Sequence, residues 1–188
     1  MKVLFSLLSI LTVSIALSQN SENKLINLSD IKFCDLKVSD LKKQDPNLQE
    51  IAILEMSLCP DGFVTDSRFE NRKGYVSKLY PGVIFQKYNN RDLISKVRLT
   101  KEFKGNLPDG TYINLAKLSA KNVLDKYPTF NSWTSRDCSD FLALTNNETY
   151  FYVKIDKAKK PRYPINEKYY LTKPIEGIDI IMNCYKTP

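Results

Sequence analysis

The sequence predicts an α+β fold: one compact unit of two similar halves, each built from short helices and antiparallel strands and stabilised by disulfides. Three observations lead there. A serine, proline and cysteine recur in the same order, strand-like alternation follows each copy, and four cysteines lie downstream of an export-type leader.

The first copy begins at Val38-Ser39, which opens a short helical stretch before Pro46 and then Cys59-Pro60-Asp61-Gly62-Phe63. The second begins at Leu118-Ser119, with Pro128 and then Cys138-Ser139-Asp140-Phe141 behind it. Serine to cysteine spans 20 residues in one copy and 19 in the other. Ser119 suits an N-cap because its hydroxyl can accept from an otherwise unpaired amide of the first turn, and Leu118 with Val123 has the spacing of a hydrophobic staple. After the first copy, Gly82–Tyr88 and Leu93–Leu99 alternate apolar and polar residues around Asn89-Asn90-Arg91, the pattern of a hairpin. Thr149–Ile155 and Gly177–Cys184 play the same parts after the second copy. Between them, Phe103–Gly110 carries a Pro-Asp-Gly turn and marks the seam. The predicted organisation is therefore a leader at 1–18, a flexible segment at 19–30, a first half at 31–107 and a second at 108–188.

The leader is the clearest compartment signal. Lys2 precedes an apolar run from Val3 to Leu17, and the small-residue exit Ala16-Leu17-Ser18 predicts cleavage before Gln19. The run is shorter than a spanning helix needs, and no cysteine follows it to accept a lipid, so the expected product is secreted or periplasmic and freely diffusing. Cleavage there leaves 170 residues with a net charge of +6, enough chain to bury a core of its own. Eleven tyrosines argue against disorder. The basic excess favours an acidic partner without specifying one.

In an exporting compartment Cys34, Cys59, Cys138 and Cys184 are expected to pair. Three connectivities are open. Pairs within each half, Cys34 with Cys59 and Cys138 with Cys184, close local loops and would each stabilise by roughly 3 to 4 kcal/mol. The rival bond Cys59 to Cys138 would staple the halves together. A metal site is not expected, because no two cysteines form a knuckle and the chain has no histidine.

With the helix starts at Val38-Ser39 and Leu118-Ser119 and the strand pairs just quoted, spanning most of residues 31 to 185, the chain resembles the beta-lactamase inhibitor protein and related small outer-membrane assembly lipoproteins. The resemblance implies a tandem helix-plus-sheet architecture and a role in masking another protein. The chain departs from that pattern in lacking a Leu-Gly at the helix start, the Gly-x-Pro that closes that helix, and a lipid anchor.

Absence of histidine removes Ser-His-Asp and Cys-His nucleophile systems in their standard forms, and no phosphate-binding glycine loop is present. No cofactor is expected. What remains is carboxylate chemistry, for which Asp61, Asp66, Glu70, Asp137 and Asp140 are the available acids. Two surfaces are candidates for binding. One is the stretch from Cys59 to Pro81, read as a long loop carrying Arg68, Arg72, Lys73, Tyr75 and Tyr80. The other interleaves cations and aromatics: Lys160, Arg162, Tyr163, Tyr169 and Tyr170 lie among Lys157, Lys159, Lys168 and Lys173, broken by Pro161, Pro164 and Pro174. Trp133, the single tryptophan, is assigned to the core. Three functions stay open. The first is an exported non-catalytic binding protein, of inhibitor or immunity type, acting on another protein. The second is a carboxylate-dependent hydrolase of cell-envelope glycans, and the third a binder of an acidic polymer. A protein partner ranks above nucleic acid.

Overall fold

The computed structural model describes residues 25–57, 73–87, 91–130, 132–135, 139–146, 148–159, 164–182 and 184. The first elements are strand β1 (Ile26–Asn27), a 3-10 turn (Leu28–Asp30), helix α1 (Val38–Gln44) and strands β2 (Gln49–Ala52), β3 (Lys73–Val76), β4 (Val83–Lys87) and β5 (Ile94–Leu99). Next come β6 (Lys104–Asn106), β7 (Tyr112–Asn114), a second 3-10 turn (Leu115–Lys117) and α2 (Ala120–Lys126). The chain continues through β8 (Ser132–Thr134), β9 (Phe141–Thr145), β10 (Thr149–Lys154), the single-turn α3 (Glu167–Tyr170) and β11 (Ile175–Ile181).

Eight strands form one antiparallel sheet in the order β2-β3-β4-β5-β11-β10-β9-β8. A small sheet β1-β6-β7 sits apart, with β1 parallel to β6. Both anticipated strand pairs are neighbours, β4 with β5 and β10 with β11. The predicted seam turn joins β6 to β7, with Gly110 at φ +82° and its amide donating to the Leu107 carbonyl at 2.9 Å. Glycine reaches that left-handed region without the penalty that a Cβ brings.

Helix starts fall where the sequence placed them. Ser119 caps α2 by accepting from the Asn122 amide at 3.2 Å, and Asn122 Oδ1 accepts the Ser119 amide at 3.0 Å. Leu118 and Val123, the staple pair, are both buried. In α1 the Lys37 amide donates to Asp40 Oδ2 at 3.3 Å. These helices are too short to persist alone and depend on the apolar side chains they bury. Val38 and Leu41 from α1, and Ala120 and Val123 from α2, join Val83, Phe85, Val97, Leu99, Phe151, Ile178 and Ile180 of the sheet in one core. Period-two alternation sends those strand residues to the helix-covered face. Each such large side chain contributes about 1.5–3 kcal/mol relative to exposure.

Three expectations are corrected. Cys34 is bonded to Cys184, 150 residues away, with Cα atoms 5.2 Å apart, rather than to Cys59. The cause is topology: the Cys34 amide donates to the Ile94 carbonyl at 3.1 Å where β5 begins, and Cys184 follows β11, the neighbour of β5. Strand adjacency therefore outranks closeness in sequence. Cys59 and Cys138 lie outside the described residues. Next, the stretch from Cys59 to Pro81 is not a single loop, since Lys73–Val76 is strand β3, internal to the sheet. Lastly, Ile26–Asp30 belong to β1 and the first 3-10 turn, with Leu28 fully buried.

Candidate functional site

Two groups of charge stand out, and they are assembled differently. On the sheet face away from the helices, Lys96 and Arg98 of β5 and Asp179 of β11 alternate with the core residues Val97, Leu99, Ile178 and Ile180. A strap formed by Ile53–Ser57, the chain leaving β2, crosses over them. It lies close because glycine is beneath it: a Cβ on Gly74 would stand 3.1 Å from Ile53 Cγ2 and 2.4 Å from Ile84 Cγ2, and one on Gly177 would stand 2.9 Å from Met56 Sδ. Ser139 fastens the far end by donating its hydroxyl to the Met56 carbonyl at 3.0 Å.

Glu55 of the strap completes a four-charge network. Its Oε2 meets Lys96 Nζ at 2.5 Å and Arg98 at 3.0 Å, while Gln86 Nε2 donates to its Oε1 at 2.8 Å. Arg98 grips Asp179 with two parallel bonds of 2.6 and 2.7 Å and donates to the Leu54 carbonyl. Lys96 lies 3.1 Å from Asp179, and the Tyr152 hydroxyl donates to the same carboxylate at 3.1 Å. Glu55, Lys96, Arg98, Asp179 and Tyr152 are all buried. Burial works against ionising Asp179, but the Arg98 guanidinium and Lys96 ammonium outweigh it and hold the carboxyl at about 2. Burial likewise opposes the Arg98 charge, yet Asp179 and then Glu55 keep it protonated well above its usual range. For Tyr152, burial and then Asp179 drive the hydroxyl far above the ordinary phenol value, so it stays a donor. Two cations balance two carboxylates, every carboxylate has a cation, and solvent is excluded. General acid–base catalysis needs a reacting group within hydrogen-bond reach of one member, and this network offers no approach for one.

The second group is open. Asn166 caps α3 by accepting the Tyr169 amide at 3.1 Å, which fixes the start of Tyr169. The Tyr169 hydroxyl donates to Asp156, whose carboxyl is held below the usual range by that bond and then by the Ala158 amide. Lys173 and Lys159 place their ammonium groups 4.4 and 4.9 Å from the centre of the Tyr169 ring, within cation–π range. Tyr169 raises the pKa of Lys173. Behind it the Tyr170 ring stands edge-on at 5.1 Å and in turn meets Trp133 at 6.2 Å. Lys159 is exposed and Lys173 half-buried, and the neighbouring Lys154, Lys157 and Lys168 of the same chain segments are exposed as well. Asp156 is engaged by Tyr169 and Asp140 by Lys157 at 2.7 Å, while Glu167 of α3 is exposed. The result is a fixed aromatic surrounded by an excess of positive charge.

A groove of about 610 Å³ lies elsewhere, where the β3–β4 turn meets the ends of β2 and β5; Val76, Tyr80, Pro81, Ile84, Asn47 and Glu102 are among its walls. Leu79, on that turn, is 57% exposed.

The binding residues anticipated from sequence separate accordingly. Tyr169 and Tyr170 come together, one at the surface and the other buried behind it. Tyr80 lines the groove and sets its ring edge against Phe85 at 5.4 Å. Tyr75 is buried in the core, and Lys73 pairs with Glu50 at 2.9 Å on the outer strands. Arg68, Arg72, Lys160, Arg162 and Tyr163 lie outside the described residues. So do Asp61, Asp66, Glu70 and Asp137, while Asp140 is the turn acid paired with Lys157. Among the described residues no group of His, Cys, Asp and Glu could hold a metal ion. Trp133 is half-buried against the core. The buried network was missed from sequence. Its signal was Asp179, a lone carboxylate inside Gly177-Ile178-Asp179-Ile180-Ile181, since a charge in an apolar strand requires an opposite charge opposite it.

No protein-family model, curated protein or solved structure matches the chain. A reading of function rests on the geometry of these sites.

Proposed function

We propose that this chain is an exported, non-catalytic binding protein that holds another protein through an acidic surface, in the manner of an inhibitor or immunity protein. The observation that carries the reading is Tyr169, pinned by Asp156 between the ammonium groups of the exposed Lys159 and the half-buried Lys173, on chain segments that also carry the exposed Lys154, Lys157 and Lys168. Tyrosine is favoured as an interface anchor because it gives large contact area for little lost freedom, and here that freedom is already restricted. Lysines around it would speed encounter with an acidic partner and reject a basic one. The Cys34–Cys184 bond suits an oxidising compartment, in line with the leader at 1–18. No helix of the described residues is long and apolar enough to cross a membrane. The hydrolase reading finds less support, because Glu55 and Asp179 are sealed in a neutral network and Asp140, the one candidate acid among the described residues, is paired with Lys157.

The test is capture of partners from the native envelope and culture fluid by the mature protein, in parallel with a Lys159→Glu/Lys173→Glu variant. A partner retained by the wild type at low salt and lost by the variant supports the reading. Retention unaffected by the substitutions, or turnover of an envelope glycan by the wild type, contradicts it. Capture of an acidic polysaccharide or nucleic acid in place of a protein would favour the polymer reading instead.

A further inference from the structure

We infer that the β5–β11 seam is an interface between two copies of one folding unit, so that the chain is built as a fused dimer whose pseudo-twofold axis passes between Arg98 and Asp179. Strand register provides the argument. Arg98 and Asp179 stand directly opposite each other, with Val97 opposite Ile180 and Leu99 opposite Ile178. A twofold axis at that point exchanges Arg98 with Asp179 and Val97 with Ile178.

The rest of the sheet obeys the same exchange. Moving outward on one side, Arg98 is followed by Ile84, Val76 and Gln49. On the other, Asp179 is followed by Tyr150, Thr145 and Ser132. One residue along, Val97, Phe85, Tyr75 and Glu50 answer to Ile178, Phe151, Leu144 and Trp133. Even the irregularities coincide: β4 slips register between Gln86 and Lys87, and β10 between Tyr152 and Val153, the positions that the exchange equates. Outside the sheet, the N-cap of α1, Lys37, bridges Leu93 just before β5, and that of α2, Ser119, bridges Pro174 just before β11. Each helix is seven residues long, and each is preceded by a 3-10 turn that begins at the leucine of an Ile-Asn-Leu, at 26–28 and at 113–115. A shared α+β class does not require four strands, a bulge and a cap bridge to agree in register. Two copies of one unit do.

The axis also shows what fusion permits. In a dimer of identical units a residue on the axis faces itself, so a charge there meets its like. Here one copy carries arginine and the other aspartate, joined by two bonds of 2.6 and 2.7 Å. The pair therefore favours one copy of each kind across the seam, and the Cys34–Cys184 bond ties the two copies covalently.

The experiment cuts the whole protein. A protease site is placed in the Pro108–Gly110 turn between the units, and in a second version between β9 and β10, inside the second unit. Each protein is cleaved when folded, reduced, denatured and diluted. The inference expects the seam-cut protein to recover its native near-ultraviolet circular dichroism at a rate proportional to protein concentration, with a melting temperature that rises with concentration. It expects the internally cut protein to recover less than a tenth of that signal. Equal recovery from both cuts, or no recovery from the seam cut, would overturn it. Neither result depends on what the protein binds.

Discussion

The charges around Asp179 and those around Tyr169 share one sheet-and-helix frame but differ in every respect that matters for function. Around Asp179 two cations meet two carboxylates under the Ile53–Ser57 strap, with side chains almost free of solvent. Around Tyr169 the half-buried Lys173 and the exposed Lys159 lie against the ring, further exposed lysines follow on the same chain segments, and Asp156 is engaged by the ring's own hydroxyl. A sealed, balanced network spends its interactions on itself. It fixes the strap over the seam strands, but it presents nothing to a partner. An open, unbalanced patch contributes little to folding, since exposed ion pairs are worth about 0–1 kcal/mol each, and keeps its field for whatever approaches. The difference teaches that charge count alone does not separate a cluster that satisfies itself from one left open to solvent; exposure and local balance do.

The predictions bear on that contrast, beginning with the frame that both clusters share. Replacing Cys34 and Cys184 together by alanine is expected to cost up to about 5 kcal/mol in denaturant unfolding, because the bond closes a loop of 150 residues. Non-reducing peptide mapping should find this bond, which leaves Cys138 as the partner for Cys59. Next in size, Asp179→Ala should cost about 3–5 kcal/mol, since it strands Arg98 and Lys96 in a buried site. Partner affinity should not change if the variant is assayed while folded. A compensated Arg98→Met/Asp179→Leu variant should regain much of the loss, as apolar replacements of buried pairs often do.

Acid should separate the clusters in the same direction. Asp179 has a lowered folded-state value of about 2 against an ordinary 3.8. Its contribution to stability is then complete above the ordinary value and is lost as pH falls through about 2. Melting temperature followed from pH 5 to pH 2 should drop more steeply in the wild type than in Asp179→Asn. Smaller still, Ser119→Ala should cost about 1 kcal/mol by removing the α2 cap. Smallest for folding, Lys159→Glu/Lys173→Glu should cost no more than about 1 kcal/mol, the worth of a partly exposed cation–π contact, and yet weaken the partner at least tenfold. A variant that melted early would place these lysines in the frame rather than at a contact.

How much of this was legible in the sequence follows from what each feature depends on. Helix starts and the β4–β5 and β10–β11 pairings were readable, because Ser119, Leu118 with Val123, and alternation within a strand are local patterns. The disulfide was not. Pairing Cys34 with Cys184 depends on β5 lying beside β11, a nonlocal fact that loop-length arguments cannot supply. Strand β3 was hidden because Lys73-Gly74-Tyr75-Val76 is too short to show a period, although Gly74 marked a close approach in hindsight. For the sites, Tyr169 was read as part of a cation–aromatic stretch and does lie beside Lys159 and Lys173, while Tyr75 belonged to the core because β3 turned it inward. Lys96 and Arg98 looked like the polar side of a half-exposed strand. Among the described residues it is the strap, arriving from β2, that crosses over them.

Affinity of the captured partner for the wild type and for Lys159→Glu/Lys173→Glu, measured across a salt series, tests the central claim most directly. The account expects wild-type binding to weaken as salt rises, chiefly through slower association, and the variant to bind weakly at every salt concentration. Equal, salt-independent affinities for the two proteins would contradict it.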